Sequence, residues 1–307
     1  MNEFLSRVLT LAVLAVLAGL PLAASADLNV FACEPEWAAL AEEIGGDRVE
    51  VYSATTALQD PHYIQARPSL IAKVRQADIV ICSGAQLEIG WLPALLQKAN
   101  NRNVMPGTAG YMEASSFVVR LGVTGDPDRA QGDIHPQGNP HIQTNPHNIA
   151  VVARELGKRM QKIDSVNSII YEINLEQYLV SWSTAIKGWE EQAADLRGMK
   201  AITHHRSWVY LFDWLGIEEV ANLEAVPGLP PTAAHLGKLT SEFSDGGAEV
   251  IIRAPYQHAK PSEWLSERTG IPGIVLPLTV GGTDAATDLY ALFDDIIARL
   301  NGVTTGG

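Results

Sequence analysis

Residues 164–196 read DSVNSIIYEINLEQYLVSWSTAIKGWEEQAADL, a stretch without proline and with a single glycine, Gly188. The pattern is helical from end to end. One continuous helix of this length would extend roughly 50 Å at 1.5 Å per residue. That exceeds what a crossover between two neighbouring strands requires, so the stretch predicts a spine helix that connects two lobes.

Short apolar segments alternate with amphipathic segments on both sides of this spine, which indicates parallel βαβ units. The sequence therefore predicts an α/β fold with two lobes, each a mostly parallel sheet flanked by helices. The predicted strands are Leu28–Ala32, Val49–Ser53, Asp78–Ile81, Val118–Leu121, Ala201–Thr203, Val220–Leu223, Glu249–Ile252 and Gly273–Leu276. The predicted helices are Glu34–Ile44, Pro68–Gln76, Leu92–Ala99, Ile149–Ile163, Trp208–Leu215, Thr232–Phe243, Pro261–Thr269 and Asp288–Leu300.

The chain divides accordingly into five segments. We expect a signal peptide over residues 1–26, an N-terminal lobe over 27–163, the spine over 164–197, a C-terminal lobe over 198–302 and a frayed tail over 303–307. Within the N-terminal lobe, residues 125–147 carry prolines, glycines and histidines without apolar periodicity, which is typical of a functional loop.

The leader has the pattern of an export signal. Arg7 precedes the apolar run Val8–Leu22, and Ala24-Ser25-Ala26 then forms an A-x-A cleavage pattern. Cys33 lies too far downstream to be an acylated residue at the cleavage point. The sequence therefore predicts a periplasmic protein with a cleaved signal peptide that is not a lipoprotein.

The formal net charge of −13 narrows the possible partners. It argues against nucleic acid, whose phosphates would be repelled, and it favours the approach of cations. Two cysteines, Cys33 and Cys82, each follow a predicted strand. In an oxidising compartment they could form a disulfide between neighbouring strands, and two buried thiols are the equal alternative.

Histidines stand in loops that follow predicted strands, where open α/β sheets place ligands. Asp60-Pro61-His62 and Asn139-Pro140-His141 share one pattern, and His204-His205 end a short strand. Neighbouring side chains of an extended segment point in opposite directions, so one of His204 and His205 should face the cleft. Imidazole is the commonest ligand of zinc, and three of them predict a metal site between the lobes.

Asp60-Pro61-His62, Asn139–Pro146 and His205–Tyr210 resemble, in order and context, the three histidine motifs of the zinc/manganese solute-binding proteins. These proteins are the extracytoplasmic receptors of metal ABC transporters, also called cluster A-I, and the resemblance covers the whole mature chain. It implies that His62, His141 and His205 are metal ligands. The family's fourth ligand is an acidic residue after the last strand.

The sequence departs from the family at that fourth ligand. Leu276-Pro277-Leu278 stands where many members carry Asp-Pro-Leu. We expect Asp284 to take the role from a glycine-containing loop, with Asp288 as the next candidate, although Asp288 also suits a helix N-cap. His135 precedes the second motif and is expected to contact metal transiently or to be a solvated loop residue.

The resemblance implies a high-affinity receptor that delivers Zn(II), its transported ligand, to a membrane permease. A periplasmic metallochaperone is a further candidate partner, and we expect a monomer. Two alternatives stay open: a zinc-dependent hydrolase or hydratase with an open three-histidine site, and a manganese receptor of the same fold. Against an enzyme, the sequence contains neither H-E-x-x-H nor G-x-S-x-G. Three imidazoles favour zinc over manganese on ligand softness.

Overall fold

The computed structural model describes residues 28–124, 132 and 135–305. The predicted signal peptide and most of the 125–134 loop segment therefore lie outside the described residues. The first sheet is parallel with strand order β2-β1-β3-β4. Its strands are β1 (Leu28–Ala32), β2 (Val49–Ser53), β3 (Ile79–Cys82) and β4 (Tyr111–Glu113).

The second sheet repeats this topology in the C-terminal half. It is also parallel, with order β6-β5-β7-β8. Its strands are β5 (Lys200–Thr203), β6 (Glu218–Asn222), β7 (Val250–Arg253) and β8 (Gly273–Val275). Because all strands of a sheet are parallel, the loops that follow them open along one edge of that sheet.

Helices flank both sheets, which confirms the predicted α/β fold with two parallel sheets. Among the described residues, no helix is both long and apolar enough to cross a membrane. The helices are α1 (Pro35–Gly45), α2 (Pro68–Gln76), α3 (Leu92–Ala99), α4 (Pro146–Ile163), α5 (Ser168–Gln192), α6 (Val209–Leu215), α7 (Ala233–Glu242), α8 (Ala259–Thr269) and α9 (Leu289–Thr305).

The spine helix α5 is shorter than the sequence predicts. The carboxylate of Asp164 accepts hydrogen bonds of 2.7 Å from the side chains of Asn167 and Tyr171, and these bonds hold the turn that separates α4 from α5. At its other end α5 stops at Gln192 and a 3-10 turn follows. The remaining 25 residues still extend roughly 37 Å at 1.5 Å per residue.

Aromatic side chains fasten the spine to the terminal helix. The rings of Trp182 and Trp189 on α5 lie 5.6 and 5.0 Å from that of Phe293 on α9, and Tyr290 packs beside Trp182 at 4.9 Å. Pairs at these distances contribute about 0.5–1.5 kcal/mol each beyond the area that they bury. Residues 303–305, predicted as a frayed tail, continue α9 as helix.

One hydrophobic core runs through both lobes. It contains Val30 and Ile81 of the first sheet, Ala201 and Ile252 of the second sheet, and Trp182 of the spine, all fully or almost fully buried. The outer face of each sheet packs against its own smaller core. The spine and the inner faces of the two sheets therefore form a single packed unit.

One predicted strand is wrong. Val118–Leu121 pairs with neither sheet, and Val119 is 82% exposed. Instead, the backbone N–H of Leu121 donates to the Tyr210 hydroxyl of the other lobe, and its carbonyl oxygen accepts the backbone N–H of Asn139. The fourth strand is the three-residue segment Tyr111–Glu113, which is too short to give a periodic signal in the sequence.

The interior of the N-terminal lobe holds a disulfide and three buried carboxyl groups. Cys33 and Cys82 are bonded between the ends of β1 and β3, with their Cα atoms 4.8 Å apart. Glu34, Glu36 and Glu88 are each at most 3% exposed. Glu36 accepts a hydrogen bond from the hydroxyl of Thr279, and this bond joins the two lobes.

Glu36 should make stability depend on pH. Burial raises its pKa from 4.5 to about 7. The folded chain therefore keeps a proton that the unfolded chain loses, and the free energy of unfolding falls as pH rises from about 4.5 to about 7. Glu36→Gln cannot ionise, so its melting temperature should fall less than that of the wild type between about pH 5 and about pH 8.

The matched control for this measurement is Glu42→Gln, an exposed change on the same helix, which should follow the wild type. Glu34 and Glu88 contribute in the same direction, because burial raises the pKa of both carboxyls. The expected difference for Glu36→Gln is therefore partial. Identical pH profiles for Glu36→Gln and the wild type would contradict the assignment.

Candidate metal centre

Three histidines from three separate loops meet between the sheets. His62 follows β2, His141 precedes α4, and His205 follows β5. Their ring centroids lie 5.6 to 5.9 Å apart, and each offers a nitrogen within 4.8 Å of the others'. The structure thus brings together three of the four site residues that were predicted, from both lobes.

The first two loops are built alike, as the shared Asx-Pro-His pattern predicts. The side-chain oxygen of Asp60 accepts the backbone N–H of His62, and that of Asn139 accepts the N–H of His141, both at 3.0 Å. Such Asx turns fix the chain around the proline. Asn139 also donates to the backbone oxygen of Arg206 at 2.7 Å, so it ties the second loop to the third.

Carboxylates orient two of the rings. Asp60 lies 2.7 Å from Nδ1 of His62, and Glu224 lies 2.7 Å from Nδ1 of His205. A carboxylate at Nδ1 holds the ring tautomer whose Nε2 lone pair is free for a metal, and it raises the basicity of the ligand. Burial opposes ionisation of Asp60, but the hydrogen bond and charge of His62 outweigh it and lower its pKa.

Glu224 contacts two histidines, although it is not among the site residues that the sequence predicts. It stands two residues after β6, and its second oxygen lies 3.9 Å from Nε2 of His204. Its role depends on β6 lying beside β5 in the sheet, which no local pattern encodes. The only signal was a glutamate just after a predicted strand.

His141 is the most buried of the three histidines, with 0% exposure. Neither of its ring nitrogens has a hydrogen-bond partner among the described residues. Burial, and then repulsion from the neighbouring histidines, holds its pKa well below the ordinary value. The ring is therefore neutral at physiological pH and presents an unprotonated nitrogen, which is the form that binds a metal.

A fourth imidazole lies beside this group. Nε2 of His135 is 3.2 Å from Nε2 of His62. Two nitrogen ligands on one tetrahedral zinc, each about 2.05 Å from the ion, are separated by about 3.3 Å. Burial lowers the pKa of His135 to about 3, so its ring is neutral as well. The structure thus places His135, weighed in the sequence as a transient metal contact or a solvated loop residue, beside His62. Among the described residues, the group of nitrogens that all lie within 4.8 Å of one another contains the other three histidines and not His135.

The two acidic residues that the sequence offers as the fourth ligand lie elsewhere in the structure. Asp284 is exposed in the loop before α9, and no metal-binding group among the described residues includes it. Asp288 accepts the N–H of Ala291 at 2.8 Å, as an N-cap does. Of the other histidines, His147 pairs with Glu190, and His235 bonds to the backbone oxygen of Asn222.

A cleft of about 330 Å³ leads from the surface to the site. Its lining residues include His62, His205 and Glu224 of the site, together with His204, His258 and Pro230. Two of the three histidines therefore adjoin a cleft.

Loss of the Glu224 carboxylate should weaken metal binding. Glu224→Gln keeps the size of the side chain and removes its charge, so we expect zinc affinity to fall by about 10- to 100-fold. Competition with a chelating dye measures this. Glu190→Gln is the matched control, because Glu190 also contacts a histidine ring, that of His147 at 3.0 Å, away from the site. Equal losses in both variants would contradict a role for Glu224 at this site.

Comparison with known proteins gives a consistent result. The family model described as "ZnuA: Zinc-uptake complex component A periplasmic" matches residues 30–301. The manganese ABC transporter substrate-binding lipoprotein PsaA of Streptococcus anginosus is 29% identical over 250 residues, covering 80% of this chain and 78% of that protein. The metal ABC transporter substrate-binding lipoprotein ScbA of Streptococcus cristatus is 28% identical over 179 residues. That second match covers 57% of this chain and 54% of ScbA, so the chain spans about half the length of several curated relatives.

Solved structures share the fold. A zinc-bound ZnuA with residues 138–173 of its own sequence deleted superposes with a TM-score of 0.72 at 21% identity, covering 88% of this chain and 97% of that one. A manganese-bound periplasmic metal-binding protein from Candidatus Liberibacter asiaticus gives 0.70 at 17% identity, covering 90% and 100%. At these identities the likeness concerns the fold.

The same comparison corrects one prediction. The sequence predicts a periplasmic protein that is not a lipoprotein. The relatives found by sequence contradict this prediction, because they are named substrate-binding lipoproteins. The prediction depended on the spacing between Cys33 and a cleavage point in the leader. That part of the chain lies outside the described residues.

Proposed function

Because this chain belongs to the family of zinc-uptake complex component A proteins, we propose that it is the metal-binding receptor of an ABC transporter and that its cargo is Zn²⁺. The convergence of His62, His141 and His205 from both lobes on one point carries the proposal. In this function the metal is the transported substrate. Side chains bind it and then release it to a membrane permease.

The donor set favours zinc over manganese. Several relatives are named substrate-binding lipoproteins of manganese transporters. Manganese binds preferentially to carboxylate and other oxygen ligands. Here the two carboxylates nearest the site, Asp60 and Glu224, are bonded to ligand Nδ1 atoms. The three side chains that meet at the site, His62, His141 and His205, are all imidazoles, which suits a borderline-soft ion such as zinc.

Titration of the purified protein with each metal tests this proposal. We expect one zinc per chain, displaced little by a large excess of manganese, and elemental analysis of the protein as isolated should find zinc. Preferential binding of manganese would overturn the choice of cargo. A zinc affinity that survives the combined changes His62→Ala, His141→Ala and His205→Ala would overturn the site.

The fourth ligand can be decided by a pair of variants. If His135 completes the site, His135→Ala should weaken zinc binding, by at least the roughly 10-fold that loss of an outer partner causes, and Asp284→Ala should leave it unchanged. If the family pattern holds and the loop of Asp284 folds inward, Asp284→Ala should weaken zinc binding and His135→Ala should leave it unchanged. His147→Ala, a surface histidine paired with Glu190, is the control. Chelator competition provides the measurement.

The proposed function includes no catalysis. A zinc hydrolase or hydratase needs a group able to take a proton from metal-bound water. Asp60 and Glu224 are instead occupied in orienting His62 and His205. We therefore expect no zinc-dependent turnover of ester or carbon dioxide substrates. The permease, a delivering metallochaperone and the monomeric state belong to the same proposal, and the net charge of −13 accords with a metal cation as cargo.

A further inference from the structure

A second group of potential metal ligands lies inside the N-terminal lobe. The sulfur atoms of Cys33 and Cys82 and a carboxylate oxygen of Glu88 all lie within 4.8 Å of one another. Both cysteines are completely buried, and Glu88 is 3% exposed. None of these residues belongs to the three-histidine site.

Glu34 adds a fourth potential ligand. One of its carboxylate oxygens accepts the N–H and the hydroxyl of Ser83, both at 3.2 Å. Its other oxygen, Oε1, is buried, and no N–H or O–H group of the described residues donates to it. The carboxyl of Glu88 lies next to that of Glu34, and the N–H of Gly84 holds it in place at 3.2 Å.

The charge of this cluster is not balanced by a basic side chain. Neither Glu34 nor Glu88 forms an ion pair with a lysine or arginine among the residues that the structure describes, and burial raises the pKa of both carboxyls, that of Glu88 to about 7. Buried carboxyls without a cation retain protons instead. A divalent ion that displaced those protons would take over their positive charge.

We propose that reduction of the Cys33–Cys82 disulfide converts this cluster into a second metal site, with two thiolates and the carboxylates of Glu34 and Glu88 as ligands for zinc. A dithiol reductant donates two electrons and two protons: its own thiols become a disulfide, the Cys33–Cys82 bond breaks, and both cysteines become thiols. Zn²⁺ then displaces the thiol and carboxyl protons, which leave to solvent.

Three of the four proposed ligands are placed for this coordination without movement of the strands. Donor atoms on a tetrahedral zinc are separated by roughly 3.3 to 3.8 Å, and the sulfurs of Cys33 and Cys82 and an oxygen of Glu88 lie within 4.8 Å of one another. Glu34 lies beside Glu88 and outside that group, so its carboxyl must turn toward the sulfurs to become the fourth ligand. Cys33 and Cys82 lie at the ends of paired strands with Cα atoms 4.8 Å apart. Rotation of their side chains can separate the sulfurs. Four protein ligands in a buried position describe a closed, structural type of zinc site.

Disulfide formation and metal binding exclude each other at this cluster, because both use the same sulfur atoms. The oxidised chain therefore binds metal only at the histidines. The reduced chain has a second zinc that holds β1 and β3 together in place of the covalent bond. The site also shields its thiolates from oxidants for as long as the metal stays bound.

The test uses full-length protein in four states: wild type and the variant with His62→Ala, His141→Ala and His205→Ala, each oxidised and each reduced by a water-soluble phosphine. Thiol titration verifies the reduction, and zinc per chain is measured after gel filtration. We expect one zinc in the oxidised wild type and two in the reduced wild type. The triple variant should bind none when oxidised and one when reduced.

Each outcome decides between the two proposals. An unchanged zinc content on reduction, in both proteins, overturns the second site whatever the histidines do. An oxidised wild type without zinc overturns the histidine site alone. If the triple variant does not fold, the step from one to two in the wild type still decides the matter.

Further variants identify the ligands. In reduced Cys82→Ser the extra zinc should be lost, and Glu88→Gln should weaken its binding, while Glu42→Gln, on the surface, should have no effect. Cobalt(II) in place of zinc should give the near-ultraviolet thiolate charge-transfer absorption in the reduced chain only. Retention of the extra zinc by Cys82→Ser would exclude Cys82 as a ligand and overturn the proposed two-thiolate site.

Discussion

His141→Ala is expected to weaken zinc binding by more than about 100-fold, beyond the loss that removal of an outer partner causes. His141 offers a buried, neutral imidazole with no competing hydrogen bond among the described residues, so its nitrogen is available to a metal. No solvent molecule can take the place of the ring without ordering itself in a closed interior. Chelator competition at about pH 7.5 gives the affinity, well above the histidine range near 6.5.

Two controls separate ligation from damage to the fold. His147→Ala removes a surface imidazole and should bind zinc as the wild type does. The melting temperature of metal-free His141→Ala shows how much stability the lost packing costs. An affinity within about 10-fold of the wild type, the smallest loss expected from an outer partner, would show that His141 is not a ligand.

Removal of the disulfide should produce the largest change in stability. The bond closes a loop with a sequence separation of 49 residues, for which chain-entropy reasoning gives about 4 kcal/mol. The double variant Cys33→Ser, Cys82→Ser should therefore lose about 4 kcal/mol of its free energy of unfolding. Urea denaturation in the presence of a chelator measures this, so that zinc does not contribute.

The wild type reduced under the same conditions is the natural comparison. It should lose a similar free energy, because it loses the same constraint on the unfolded chain but keeps the original side chains. A double variant that is as stable as the oxidised wild type would mean that the packing around β1 and β3 alone holds these strands. The effect would then not come from the crosslink.

Much of the fold could be predicted because the central strands are mostly apolar: β3 is fully buried, and β1 and β7 have one partly exposed residue each. β2, α2 and α3 begin and end where the sequence placed them. Val118–Leu121 was wrongly predicted as a strand because an apolar run does not show whether its residues are buried. In the structure Val119 is exposed. The sequence ends α4 correctly at Ile163, but it begins the spine helix at Asp164 and not at Ser168, because a periodic pattern does not contain the side-chain bonds to Asp164.

The candidate site was predictable as far as its residues repeat a local pattern. His62 and His141 share the Asx-Pro-His turn, and the structure brings them to one point with His205. Glu224 and His135 enter through strand order and loop packing, which arise only in three dimensions. The pairing of Cys33 with Cys82 likewise depends on β3 lying beside β1.

The core that crosses both lobes has a consequence for calorimetry. With α5 packed on α9 and the inner faces of both sheets in one cluster, opening of either lobe exposes the core that the two lobes share. Heating should therefore give one endotherm, with equal calorimetric and van't Hoff enthalpies. On the proposed function, metal held by His62 and His141 on one side and His205 on the other would stabilise the folded state as a whole. We then expect the temperature of this one transition to rise with the concentration of free metal.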